Sequence, residues 1–179
     1  MKRGPEALTG ILSIERLKAT PGCPSVERLA KGPVACIECV EDIPCNPCEK
    51  ACPFGAIRVG TPITNLPALD ETKCTGCGQC LAICPGLAIW LLDATYSDTE
   101  AIVAMPYEYL PLPSKGDAVH ALNRAGEKVC DAQVRRVRKT QKADGTAIVT
   151  VVVPKEHVME VRTMRRRQGA SSFEPTKQE

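Results

Sequence analysis

Eight of the eleven cysteines in this 179-residue chain stand between Cys39 and Cys84, in two runs that rhyme. The second run, CTGCGQCLAICP, places Cys74, Cys77, Cys80 and Cys84 two, two and three residues apart, with Pro85 behind the last. The first, CVEDIPCNPCEKACP, places Cys39, Cys45, Cys48 and Cys52 with the same ending before Pro53, but with five residues in its first gap. Thiols this dense are either cross-linked to each other or bound to metal, and both outcomes dictate where the backbone turns. Disulfides belong to oxidising compartments, and no secretory signal is visible: MKRGP leads into no long apolar run, and Glu15, Arg16 and Lys18 interrupt the apolar residues behind it. Zinc held by four thiolates ordinarily uses two CxxC pairs and a longer spacer, not three cysteines at two-residue intervals plus a fourth.

The spacing suits a cubic [4Fe–4S] cluster. Three thiolates two residues apart reach three irons from one tight loop, while a fourth, followed by proline, lies past the turn and reaches the other cluster. Two clusters are therefore expected, one on Cys39, Cys45, Cys48 and Cys84, the other on Cys74, Cys77, Cys80 and Cys52. The two loops then exchange their last members, and loss of one cysteine disturbs both halves. Matching apolar segments follow the runs, FGAIRV after Pro53 and GLAIWL after Pro85, and GPVACIE and NLPALDETK precede them. Each half reads as strand, cluster loop, short helix, strand, an internal repeat that resembles the two-cluster bacterial ferredoxin fold over residues 33–93.

Within that unit several residues have two readings. Cys36 forms another CxxC with Cys39 and can replace it as first ligand. Residues alternate faces along a strand, so only one of the two faces the cluster; Cys39, nearer Cys45 and Cys48, is favoured, leaving Cys36 as a small buried hydrophobe. Glu41 and Asp42 in the first loop read as a solvated loop or as charges that lower a cluster potential. Gly76, Gly78 and Gly86 let backbone amides approach sulfur, and Gly55 matches Gly86 roughly in position. Trp90 reads as a core or interface residue covering a cluster rather than as an electron relay.

A unit of about sixty residues is near the lower limit for a self-sufficient apolar core, and cluster ligation supplies folding free energy. The region is therefore expected to unfold without iron. Charge is uneven: residues 33–93 carry three Lys/Arg against seven Asp/Glu, and residues 114–179 carry fourteen against eight. Each ligated, oxidised cluster adds about −2, so the loaded protein is mildly acidic, which argues against a dedicated nucleic-acid binder. No window approaches the apolar length of a membrane span, and a cytoplasmic protein is expected.

Outside the unit, residues 1–32 form an arm with two related pieces, SIERLKA and SVERLAK, each opened by a serine able to cap a short helix. The arm either packs back on its own unit or reaches a partner subunit. Cys23 belongs to neither run and reads as a free structural thiol. Residues 94–116 read as a connector with a β-prone AIVAM and the Pro-rich PYEYLPLPSKG. Residues 117–167 read as a small β module: strands in DAVHALNR, EKVCDAQVRRVRK and AIVTVVV, turns at 123–126 and 143–145, and a helix over 155–167 with Val158, Val161 and Met164 on one side. With residues 101–105 the strands make an antiparallel sheet, a partly closed barrel. The tail, 168–179, reads as disordered. The fold class is α+β. His120 and His157 have no catalytic motif around them, Cys130 reads as core, and Arg135, Arg136, Arg138 and Lys139 with Arg165, Arg166 and Arg167 read as a solvated basic face or a dock for an acidic partner.

No catalytic set, phosphate loop or dinucleotide fingerprint is present. A cluster whose irons all carry cysteine moves single electrons and binds no substrate, so the chain reads as a relay, not catalytic alone. The stretches GPVACIECVEDIPCNPCEKACPFGAIRV, LPALDETKCTGCGQCLAICPGLAIWLLD and PYEYLPLPSKGDAV together resemble the iron–sulfur subunits of multi-subunit FAD-dependent proline and hydroxyproline dehydrogenases, over residues 30–165. The IPCNPC insertion and the Pro-rich connector are the more particular elements of that likeness. The resemblance implies hetero-oligomeric FAD-containing dehydrogenase partners and electron relay between flavins. A free shuttle ferredoxin, and a cluster-stabilised module that binds protein or nucleic acid, are the other readings.

Overall fold

The computed structural model describes residues 9–139 and 146–167. The arm makes two short helices, α1 (Ile14–Lys18) and α2 (Val26–Leu29). Ser13 and Ser25 cap them, each side-chain oxygen accepting from the amide three residues on, at Arg16 and Arg28. Leu17 and Leu29 are buried in the core, so the arm packs against its own unit. Two main-chain bonds hold its centre: Ile37 N–H donates to the Gly22 carbonyl (2.9 Å) and Leu69 N–H to that of Pro21 (2.8 Å).

The repeat comes next. Strand β1 (Val34–Ile37), α3 (Pro47–Ala51) and β2 (Ile57–Arg58) form one half; β3 (Ala68–Leu69), α4 (Gln79–Ile83) and β4 (Ile89–Asp93) form the other. The halves interlock, because β1 pairs antiparallel with β4 and β2 with β3. The chain then continues into β5 (Glu100–Tyr107), β6 (Ala118–Leu122), β7 (Lys128–Lys139), β8 (Ala147–Pro154) and β9 (Thr163–Arg166).

The C-terminal strands do not form a sheet of their own. One seven-stranded sheet runs β1-β4-β5-β8-β7-β6-β9, with β5 bonded to β4 on one side and β8 on the other. The expected partly closed barrel is thus a single curled sheet that takes its first two strands from the repeat. Its ends meet through side chains: Glu38, just past β1, pairs with Arg124 after β6 and Arg162 before β9. One face is closed by aliphatic side chains, among them Val34, Leu92, Val103, Met105, Val119, Val149 and Val151. The other face, with Ala35, Ile37, Ile89 and Ala104, carries the cysteine loops. Strand β1 is buried at all four positions because both faces are covered.

Two expectations need correction. Residues 155–167 are not a helix: a single 3-10 turn (Lys155–His157) is followed by β9, which pairs with β6. The three-residue spacing of Val158, Val161 and Met164 imitates a helix, but the backbone groups on the open edge of β6 are satisfied by a strand. Trp90 does not cover a cysteine loop. It points to the aliphatic face, where its indole N–H donates to the Arg162 carbonyl (2.7 Å). The strands expected over 117–153 are present, and Asn123 builds the first turn by accepting from the Ala125 and Glu127 amides. The second turn, 143–145, and the tail lie outside the described residues.

Candidate metal centre

Two cavities lie against the cysteine-bearing face. The first is lined by Cys39, Cys45, Cys48 and Cys84, with Ile37, Ile43 and Ile89 among its walls. The second is lined by Cys52, Cys74, Cys77 and Cys80, with Ala35, Ile57 and Leu91 among its walls. Each cavity therefore takes three thiols from one run and the last thiol of the other. Cys36 lines neither; it sits on the aliphatic face with no exposed surface. Ala35 and Ile37 wall different cavities from the same face of β1, and Leu91 and Ile89 do so from β4. Residues two apart on a strand are separated by about 7 Å, so the cavities are immediate neighbours.

The thiols are crowded in apolar surroundings. Burial pushes the Cys80 thiol up to about 12, helped by Cys74, Cys77 and Cys52. Burial also pushes Cys48 up to about 11, with Cys84 the next cause, and raises Cys39 with Cys84 and Cys45 behind it. Thiols raised in this way stay neutral unless a cation compensates their charge. Backbone amides already approach three sulfurs, from Ala56 to Cys52 (3.2 Å), Ala88 to Cys84 (3.4 Å) and Ala35 to Cys74 (3.5 Å). Among the described residues no three His, Cys, Asp or Glu side chains converge closely enough to hold a single metal ion. Thiols spread around a cavity, amides aimed at sulfur and apolar walls fit a cationic core larger than one ion, as an iron–sulfur cluster is.

The surroundings of the two loops differ. Gly76 has φ +70°, and a β-carbon there would stand 2.6 Å from Pro33, so the second loop passes directly over the entry to β1. Arg28, from α2, locks this crossing: its guanidinium donates to the carbonyls of Cys74 (2.6 Å), Pro33, Gly32 and Glu71. The first loop is held instead by charge. Glu38, next to Cys39, is buried with Arg124 (2.6 Å) and with Arg162, whose side chain is only 3% exposed. Glu41 and Asp42 are both exposed, and of the two Glu41 lines the first cavity.

Some of these residues escaped sequence reasoning. Arg28, Arg124, Arg162 and Glu38 look like ordinary surface charges in the sequence. Arg138 leaves the basic face and stands over Gly78 at the second loop; a β-carbon on Gly78 would meet its Nη2 at 3.8 Å. Arg135 instead lies over the Tyr96 ring, 4.7 Å from its centre. The counterpart of Gly55 is Leu87 rather than Gly86: both follow their Cys-Pro pairs with positive φ, +59° and +51°. The histidines are satisfied, His120 by Asp131 (2.9 Å) and His157 by Glu160 (3.1 Å).

Residues 67–90 match the family model described as 4Fe-4S binding domain. The chain carries a 4Fe–4S ferredoxin-type domain. It is 55% identical over 49 residues to a component of the ion-translocating oxidoreductase complex of Methanosarcina acetivorans, an alignment covering 27% of this chain and 17% of that protein. It is 47% identical over 38 residues to a component of the Na(+)-translocating ferredoxin:NAD(+) oxidoreductase complex of Acetobacterium woodii, covering 21% and 11%. It is 39% identical over 54 residues to the polyferredoxin-like subunit of the aliphatic sulfonate oxidoreductase of Pyrococcus furiosus, covering 30% and 28%. The match thus spans less than a third of each relative's length. No solved structure gives a significant match. Among the described residues no helix is long and apolar enough to cross a membrane.

Proposed function

We propose that the chain is a non-catalytic electron-transfer subunit of a multi-subunit oxidoreductase, holding two [4Fe–4S] clusters. Cys39, Cys45, Cys48 and Cys84 would hold one, and Cys52, Cys74, Cys77 and Cys80 the other. The observation that carries this reading is the pair of four-thiol cavities on adjacent wall residues of β1 and β4. Four protein ligands leave a cubane no open iron, so the bound clusters supply one-electron transfer and no substrate chemistry. The protein's own part is to exclude water with Ile37, Ile89, Ala35 and Leu91 and to aim the Ala35, Ala56 and Ala88 amides at sulfur, which governs potential.

Membership of a complex is supported by the relatives, which are named as oxidoreductase subunits. A flavoprotein partner, and a proline- or amine-oxidising complex, rest on the likeness of the IPCNPC insertion and the Pro-rich connector alone. Cytoplasmic placement rests on the free-thiol chemistry. Mass spectrometry of a native preparation, with iron and flavin counted per chain, tests the proposal. About eight irons, reversible bleaching near 400 nm by dithionite and a stoichiometric partner are expected. Zinc in place of iron would end the cluster reading; a monomer with intact clusters would leave a shuttle ferredoxin in place of a subunit.

A further inference from the structure

Two cysteines lie outside both cavities and next to each other. The bond from Ile37 N–H to the Gly22 carbonyl lays the turn at 20–23 against the end of β1 and brings Cys23 towards Cys36. Gly22 is what permits this approach, since a β-carbon there would stand 2.7 Å from that of Ile37. Cys23 packs against the buried cluster that holds Cys36, and its Sγ lies 3.6 Å from the Pro24 carbonyl. Arg162, pinned by Glu38, points its Nη2 at the Cys36 sulfur from 3.9 Å. Cys36 is sealed in the core, whereas Cys23 lines an open groove of about 880 Å³ bordered by Lys18, Lys155, Glu71, Asp98 and Met159.

From this geometry we infer that Cys23 and Cys36 form a thiol–disulfide exchange site, with Cys23 as the attacking thiol, Cys36 as the resolving thiol, and a small disulfide of the glutathione class as oxidant. The close approach of Gly22 to Ile37 sets the two cysteines on adjoining stretches of backbone, the arrangement a disulfide requires. A cation beside the pair favours the thiolate, which is the nucleophile. The Cys36 thiol draws the Cys23 pKa down, burial opposes it, and Arg162 adds a smaller downward pull. In the first step the Cys23 thiolate attacks one sulfur of the small disulfide, forming a mixed disulfide and releasing one thiolate. In the second, Cys36, whose thiol pKa is raised by Cys23 and by burial, attacks the Cys23 sulfur as its proton passes to the other thiolate, which departs. Two protein thiols are oxidised by two electrons, one small disulfide is reduced to two thiols, and the arm is tied covalently to β1. The clusters take no part.

The test treats the iron-loaded full chain anaerobically with oxidised glutathione, blocks remaining thiols, and maps non-reduced peptides while absorbance near 400 nm is followed. A peptide joining Cys23 to Cys36 should accumulate with the absorbance unchanged and disappear on adding dithiothreitol. Cys36→Ser should trap Cys23 as its mixed disulfide with glutathione, and Cys23→Ser should leave Cys36 unmodified. A bridge from Cys36 to Cys39, a Cys23 that stays glutathionylated in the unaltered chain, or no bridge at oxidant levels the clusters survive would each overturn the inference.

Discussion

The two cysteine loops reach the same arrangement of four thiols by different means. The second is short and threads beneath Pro33 by adopting left-handed backbone at Gly76 and Gly78, with Arg28 bonding the carbonyls on either side of the crossing. The first has a longer opening gap and no glycine between Cys39 and Cys48, and its entry is fixed by the buried Glu38–Arg124–Arg162 group. A tight loop encodes its shape locally, in residues that tolerate positive φ. A wide loop has many shapes available, and long-range charge pairing selects one.

The largest effect expected from breaking this comparison comes from the exchanged thiols. Cys84→Ser and Cys52→Ser should each cost about four of about eight irons and destabilise the other cavity as well, measured as iron per chain and absorbance near 400 nm. Losing iron from one cavity alone, with the other unaffected in stability, would show that the halves are independent. Next comes the charged group at the first loop. Glu38→Leu leaves Arg124 and Arg162 buried without a counter-charge and should cost about 3–5 kcal/mol of stability. Thermal unfolding of the loaded protein reads it, and the loss should persist at high salt because the group is buried.

At the second loop, Gly76→Ala must push a methyl group into Pro33, and should cost about 2–4 kcal/mol. Gly86→Ala, which meets nothing within 4 Å, should be close to silent. Equal effects at the two glycines would remove the claim that the crossing is tight. A smaller asymmetry separates Gly55 from Leu87. Gly55→Ala should cost about 1 kcal/mol, from left-handed strain that Leu87 already bears in the other half. The smallest effect concerns the clasp on the arm. Glu71 accepts from the Ser25 amide and hydroxyl (both 2.7 Å), which lowers its pKa. A carboxylate depressed in the folded state stabilises above its unfolded pKa, about 4.3, and that contribution fades as pH falls through the folded value. Glu71→Gln should flatten this acid-side slope in arm docking, followed by amide exchange at Ser25.

Much of the repeat was legible because its determinants are local. Cysteine spacing, the Cys-Pro endings and the flanking apolar segments each act within a few residues, and the serine caps of α1 and α2 need only the next turn. Alternation along β1 put Cys36 on the face away from the cysteine loops for the same reason. The module was legible as strands but not as a sheet. Nothing in AIVAM announces that β5 joins β4 to β8, and the false helix over 155–167 arose because the edge of β6, which recruits β9, is remote in sequence.

Sequence alone therefore determined where the backbone must turn around the thiols and that the region is built twice. Tertiary structure decided what those loops rest on: one continuous sheet, a charged group buried between Glu38 and arginines from the far end of the chain, and Cys23 brought against Cys36 across the arm. The division follows range. Local geometry is set by neighbouring backbone angles and repeats whenever the residues repeat, whereas a buried charge or a strand edge is satisfied by whatever partner folding delivers, and that partner leaves no mark at the position it serves.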